Sequence, residues 1–268
     1  MFHLLALEWH KQKKNRSFQV LIGFYLLLLP TLMLLTKNIS EFPPPINSSD
    51  AFFQFPSNFM FFGYLGNWLV FFFLGFMAVT FITQEYAYKT LRQNIITGLS
   101  RAEYFWSKAF FIGAISLAAT LYYTLVVFIY GFTHTDAIFA STITKNIDYI
   151  PRYFLMCLGY MSFGFLLGVL VRRTGIALFL YFSYVMFLEL ILRWGVHLQL
   201  FAHKSMHFYP MNAVEDLTPI PFSEAARGFE KDFPFPFFLT PTEATITAGI
   251  YTFLFFFAAF RLLTRRDQ

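Results

Sequence analysis

The chain has 268 residues, of which 57% are hydrophobic and 22% aromatic, while only 13% carry charge. A soluble domain is about a quarter charged, so a water-exposed globular fold is excluded for most of this length. The formal net charge of +5 admits nucleic acid or anionic lipid as partners, but the placement of the cations fits membrane topology, and no nucleic-acid role is predicted. Apolar runs long enough to cross a bilayer as helices recur along the chain. The single cysteine, Cys157, lies inside one of them and cannot form an intrachain disulfide.

Residues 1–16 predict an interfacial helix. Leu4, Leu5 and Trp9 share one face, and Lys11, Lys13, Lys14 and Arg16 cluster toward the first span, an arrangement suited to a membrane surface. The leader is long and polar for a signal peptide and no small-x-small site follows the apolar run, so the first span is expected to be retained. That span is predicted over 18–35 and contains Pro30, tolerable where neighbouring helices satisfy the freed carbonyl. A Pro-, Ser- and Asn-rich outer loop covers 37–59. The second span, 60–82, carries Gly63, Gly66, Asn67 and Trp68; its small and polar positions allow close helix approach.

The polar stretch 84–108 follows. The third span is predicted over 110–132 and the fourth over 152–171, with an outer loop between them and a GxxxG at Gly164 and Gly168. Arg172-Arg173-Thr174 turns the chain into a fifth span, 175–192. A Pro- and Phe-rich outer segment, 193–240, precedes a sixth span, 241–263, flanked by Arg261, Arg265 and Arg266. With an inside N-terminus, thirteen of the 20 Lys and Arg fall in short inner segments and the other seven in longer outer ones. That asymmetry places both ends in the cytoplasm.

The stretch 84–108 organises the rest. Lys89, Arg92, Arg101 and Lys108 stand against Glu85 and Glu103. Gly98 suits the left-handed residue that ends a helix, and Ser100-Arg101-Ala102-Glu103 reads as a capping box that starts the next. Charge pattern alone leaves two readings, a solvated loop that fixes topology and a docking point for a soluble partner. The order of Glu85-Tyr86, Thr90-Leu91-Arg92, Gly98-Leu99-Ser100-Arg101 and Lys108, behind an amphipathic helix and a first span, resembles the permease subunit of type-2 ATP-binding-cassette (ABC) transporters. The resemblance covers the whole chain in architecture and about 85–108 in motif. It implies a coupling helix in 84–108 that docks on an ATPase subunit, with Glu85, Arg92, Ser100, Arg101 and Glu103 carrying the contact. It further implies a pair of permeases, a second copy or a paralogue, served by ABC ATPase subunits, and short outer or re-entrant helices in 193–240 that cap the path.

A phosphate-cradling P-loop requires G-x-x-x-x-G-K-[ST], and no Gly-Lys pair occurs in the chain. No cofactor is therefore expected here, and ATP-Mg belongs on the partner. Neither a GxSG nor an HExxH motif occurs, so no catalytic residues are assigned. Glu189 is the one acidic residue well inside a span; intramembrane carboxylates are functional candidates, and an i,i+4 ion pair with Arg193 is the structural alternative. Asn67 joins Glu189 as a candidate for the substrate path or its gate. No metal site is predicted; His203 and His207, at i,i+4 with Met206 between, are the weak candidates.

The expectation is an all-α integral membrane protein with six transmembrane helices and an N-terminal interfacial helix, forming one domain over 1–268. It would be a multi-pass permease subunit of an ABC exporter in the cytoplasmic (inner) membrane, with membrane lipids around it. The alternative is a polytopic membrane enzyme or assembly factor without an ATPase partner. Substrate identity does not follow from the residues.

Overall fold

The computed structural model describes residues 2–38, 49–96, 98–221 and 235–265, and the regular structure among them is entirely helical. Much of the 37–59 loop, most of the aromatic run at 229–238, and Arg266 lie outside the described residues. In chain order the helices are α1 (Phe2–Gln12), α2 (Arg16–Leu34), α3 (Asn58–Ala87), α4 (Thr90–Ile96), α5 (Arg101–His134) and α6 (Ala140–Thr144). They continue with α7 (Tyr149–Val171), α8 (Thr174–Leu188), α9 (Ile191–Phe201), α10 (Pro210–Glu215) and α11 (Pro241–Arg265). Among the described residues, five helical runs are long and apolar enough to cross a membrane: α2, α3, α5, residues 140–171 and α11. A sixth crossing exists if α8 and α9, bent by 42° at their junction, count as one span.

The long apolar helices therefore fall where the apolar runs predict spans, but three reach well beyond the expected bounds. Helix α3 continues to Ala87 instead of ending near 82, and α5 begins at Arg101 instead of near 110. The added turns contain Glu85 and Lys108, which stay helical because they pair with each other. The bent α8–α9 run also passes Leu192, the expected end of the fifth span. Arg193 does not stop it, because its guanidinium turns inward onto Met206 and His207. The bend sits among π-helical turns at Tyr184–Leu188 and Ile191–His197, which shift the register of helical hydrogen bonds and are an identifiable cause of kinks.

Helix α7 is the centre of the bundle, packing on α3, α5, α8, α10 and α11. Its GxxxG face meets α3. A Cβ on Gly164 would lie 2.7 Å from the Gly75 carbonyl oxygen, and one on Gly168 would lie 2.2 Å from Ile82 Cγ2. Only glycine permits that approach. Aromatic rings fill the rest, as in the stacked Tyr123–Tyr153 pair with centroids 4.1 Å apart. Buried tyrosine hydroxyls at this depth find partners. The Tyr25 and Tyr153 hydroxyls lie 2.9 Å apart, and Tyr123 donates to the Phe59 carbonyl at 2.7 Å. Other large apolar side chains, among them Leu121 and Leu125 of α5 and Phe253 of α11, face outward, as a lipid-facing surface requires.

Candidate functional site

The 84–108 stretch folds as an elbow. Helix α3 ends at Ala87, Lys89 takes a left-handed φ of 56°, and the short α4 follows. Gly98, at φ 106°, ends that helix, as its position predicts. Ser100 then caps α5: its Oγ accepts from the Glu103 amide, and Glu103 accepts from the Ser100 amide, forming the complete capping box. Leu91 is buried and Ile95 packs on the core, while Gln93 and Ile96 lie on the outer side of α4.

Beneath the elbow lies a buried ionic cluster. Lys108 Nζ, 1% exposed, donates to Glu85 Oε1 and, at 2.5 Å, to Glu8 Oε2. Lys11 reaches both carboxylates, at 3.3 Å from Glu8 and 3.6 Å from Glu85, and the Tyr104 hydroxyl donates to Glu85 at 2.8 Å. Two lysines thus balance two glutamates, and the cluster fastens α1 to the end of α3 and the start of α5. Glu8 and its position on α1 were not singled out from the sequence. On α1, Glu8 and Gln12 are buried and Leu5 half-buried, while Trp9 is exposed. The reason is electrostatic, since Lys108 inside the bundle needs carboxylates and α1 supplies one.

The five residues proposed for partner contact therefore divide. Glu85 is buried in the cluster and holds the elbow from below. Ser100 and Glu103 are exposed and joined in the cap. Arg101 Nη1 donates to the Thr264 carbonyl at 3.4 Å, tying the elbow to the last turn of α11. Arg92 belongs to α4 by its backbone; its side chain lies outside the described residues. Among the described residues, the most exposed large apolar side chains of the elbow are Tyr88 and Ile96, at 75% and 74%. Sequence reading passed over both. Ile96 was findable, because it falls off the Leu91–Ile95 stripe of α4.

On the opposite side, Asn67 and Glu189 line one cavity of about 200 Å³, together with Tyr160, Arg193, Asn212 and Glu215. The expected Glu189–Arg193 ion pair is not made. Glu189 instead accepts from the Met211 and Asn212 amides, at 3.0 and 2.6 Å, and so caps α10 from another helix. Freed backbone donors at a helix start and the π-turn beyond Glu189 outcompete the i,i+4 partner. Arg193 donates through Nε to the Met206 carbonyl and through Nη2 to His207 Nδ1, both at 3.0 Å. Asn67 donates to the Glu215 carbonyl and Thr218 Oγ1 and accepts from the Tyr160 hydroxyl at 2.7 Å.

The same network settles the histidines. His203 is exposed, and its Nδ1 accepts from the Ser205 amide, while His207 is buried against Arg193. They do not share a helix face, because His203 is extended and 204–208 is a 3₁₀ turn. No group of three or more His, Cys, Asp or Glu among the described residues is placed to hold a metal. Burial, reinforced by the Arg193 guanidinium, pushes His207 down to about 4 and keeps it neutral. Burial pushes the neighbouring Asp216 up to about 7, although its carboxylate accepts from the Leu239 amide and Asn212 Nδ2.

A bundle of long apolar helices with a capped polar elbow and a buried short helix on the opposite side marks a multi-pass membrane protein. The model of the family described as "ABC-2 family transporter protein" matches residues 6–217, from α1 through α10, and the chain belongs to that family. No curated protein matches it. The family is one of transport components that work with an ABC ATPase in general.

Proposed function

We propose that the chain is the membrane subunit of an ATP-driven exporter in the cytoplasmic membrane, with six spans and both ends in the cytoplasm. The observation that carries this reading is the elbow. It exposes Tyr88 and Ile96 at about three-quarters each on a segment whose base is fixed by Glu8, Glu85 and Lys108. Apolar side chains exposed on a polar segment are available to a protein partner, the family works with an ABC ATPase, and a fixed base transmits a push without absorbing it.

The partner is a separate ABC ATPase subunit, and a second permease copy or a paralogue completes the assembly. ATP-Mg belongs to the ATPase and supplies the free energy. The residues of this chain receive and pass on motion. Tyr88, Ile96, Arg92, Ser100, Arg101 and Glu103 form the contact face. Glu85 positions it, and the rigid α3–α7 packing carries displacement to the opposite side. There the cavity at Asn67 and Glu189 is the candidate gate, closed by α10 while Glu189 caps it. The substrate is left unassigned.

The test is Ile96→Asp in the full chain, purified with its ATPase. Loss of ATPase co-purification and of permease-stimulated ATP hydrolysis is expected, with normal membrane insertion. Charge reversal at Arg101 is expected to weaken the same association. Unchanged co-purification and unchanged stimulated hydrolysis in both variants would overturn the reading.

A further inference from the structure

We propose that the open groove between α5, α7 and α11 binds an anionic phospholipid from the leaflet on the elbow side. The groove has a volume of about 530 Å³, and its lining carries no charged residue. Phe105, Trp106, Leu158, Phe253 and Phe257 are among its walls, and Trp106 is half exposed. Such a trough accepts an acyl chain.

The headgroup requirement comes from helical register. Residues four apart stand above one another on a helix. On α5, Phe105 lies one turn beyond Arg101. On α11, Phe253 and Phe257 lead by the same step to Arg261 and then Arg265. The α5 and α11 walls of the groove therefore end in arginine on the elbow side. The Arg261 guanidinium lies 5.0 Å from the Phe257 ring centroid, so the cation rests on the groove wall itself. Arg101 donates to the Thr264 carbonyl, which draws the two arginine stripes to one place. The acid of α11, Glu243, lies at its other end, and Glu103 is held in its own cap.

An apolar trough with a basic mouth fits an acyl chain joined to a phosphate. It fits a second copy of this chain poorly, because a two-fold contact here would oppose arginine to arginine. Basic pockets between membrane helices recognise anionic headgroups in this way.

The experiment reconstitutes the full chain in nanodiscs containing brominated-acyl phosphatidylglycerol or brominated-acyl phosphatidylcholine. Bromine quenches tryptophan on contact, and subtracting the Trp106→Phe signal isolates Trp106. Quenching by phosphatidylglycerol is expected to be about fivefold stronger at equal mole fraction and low salt. Arg261→Gln with Arg265→Gln should bring the two lipids level, whereas Arg261→Lys should keep the preference. Gly249 lines the groove and has nothing within 4 Å of an added Cβ, so Gly249→Leu should fill it and lower quenching by both lipids. Equal quenching in the unaltered chain would mean ordinary surrounding lipid and would overturn the proposal. Absence of quenching by either lipid would mean that protein covers the groove and would overturn it too. If the double arginine variant fails to fold, the unaltered chain and Gly249→Leu decide.

Discussion

Replacing Lys108 by Met tests the buried cluster most sharply. Lys108 is 1% exposed and bonds to both Glu8 and Glu85. Its removal leaves two buried carboxylates sharing Lys11, which is 39% exposed and stands 3.3 and 3.6 Å away. Removing one partner from a buried pair costs about 3–5 kcal/mol. The methionine side chain returns about 1 kcal/mol of apolar burial, so a loss of about 2–4 kcal/mol is expected in detergent-titration unfolding of the purified full chain. The decisive comparison is the triple variant Glu8→Gln, Glu85→Gln, Lys108→Met. It leaves no buried charge from these three residues, so it should recover most of that loss, as neutral replacement of buried ionic groups often does. A Lys108→Met chain as stable as the original, or a triple variant worse than the single one, would refute the electrostatic account of how α1 is held.

Two further outcomes follow from the packing and the outer network. Gly164→Val should be strongly destabilising, by more than about 3 kcal/mol in the same unfolding assay. Its Cβ alone would meet the Gly75 carbonyl oxygen at 2.7 Å, and backbone cannot give way as a side chain does; an unchanged midpoint would break the α3–α7 seating. Stability around Asp216 is expected to depend on pH. Its carboxyl ordinarily titrates at 3.8 and is raised to about 7 in the fold, so the contribution is full below about 4 and lost as pH rises through about 7. The interval corresponds to at most about 4 kcal/mol. Protection factors at α10, corrected for the intrinsic pH dependence of amide exchange, should therefore be lower at pH 8 than at pH 6, and Asp216→Asn should flatten that dependence; the same slope in the variant would assign it to another group.

The sequence carried the span positions because each is a long apolar run between polar punctuation. It also carried the ends of the elbow, since Gly98 and the Ser100–Glu103 box act locally. What it hid was long-range pairing. Glu85 and Lys108 read as elements of a charged surface, yet they are buried partners, and Glu8 sits in a leader whose basic residues drew the eye. Glu189 with Arg193 looked like an intrahelical pair by spacing. A π-turn and the start of α10 redirected both side chains, and neither has a signature in one sequence. The partner of the GxxxG face was equally open until α3 was seen against it. The family match spans residues 6–217, the elbow with most of the bundle, and stops before α11.

The central claim is that Tyr88 and Ile96 meet an ATPase. A photo-cross-linking residue placed at Ile96 of the full chain, expressed in its native cells, tests that contact directly. The account predicts a covalent adduct with a P-loop polypeptide whose yield changes when ATP is added or depleted. Adducts with lipid alone at Ile96, in preparations where the ATPase is present and the chain is folded, would contradict it.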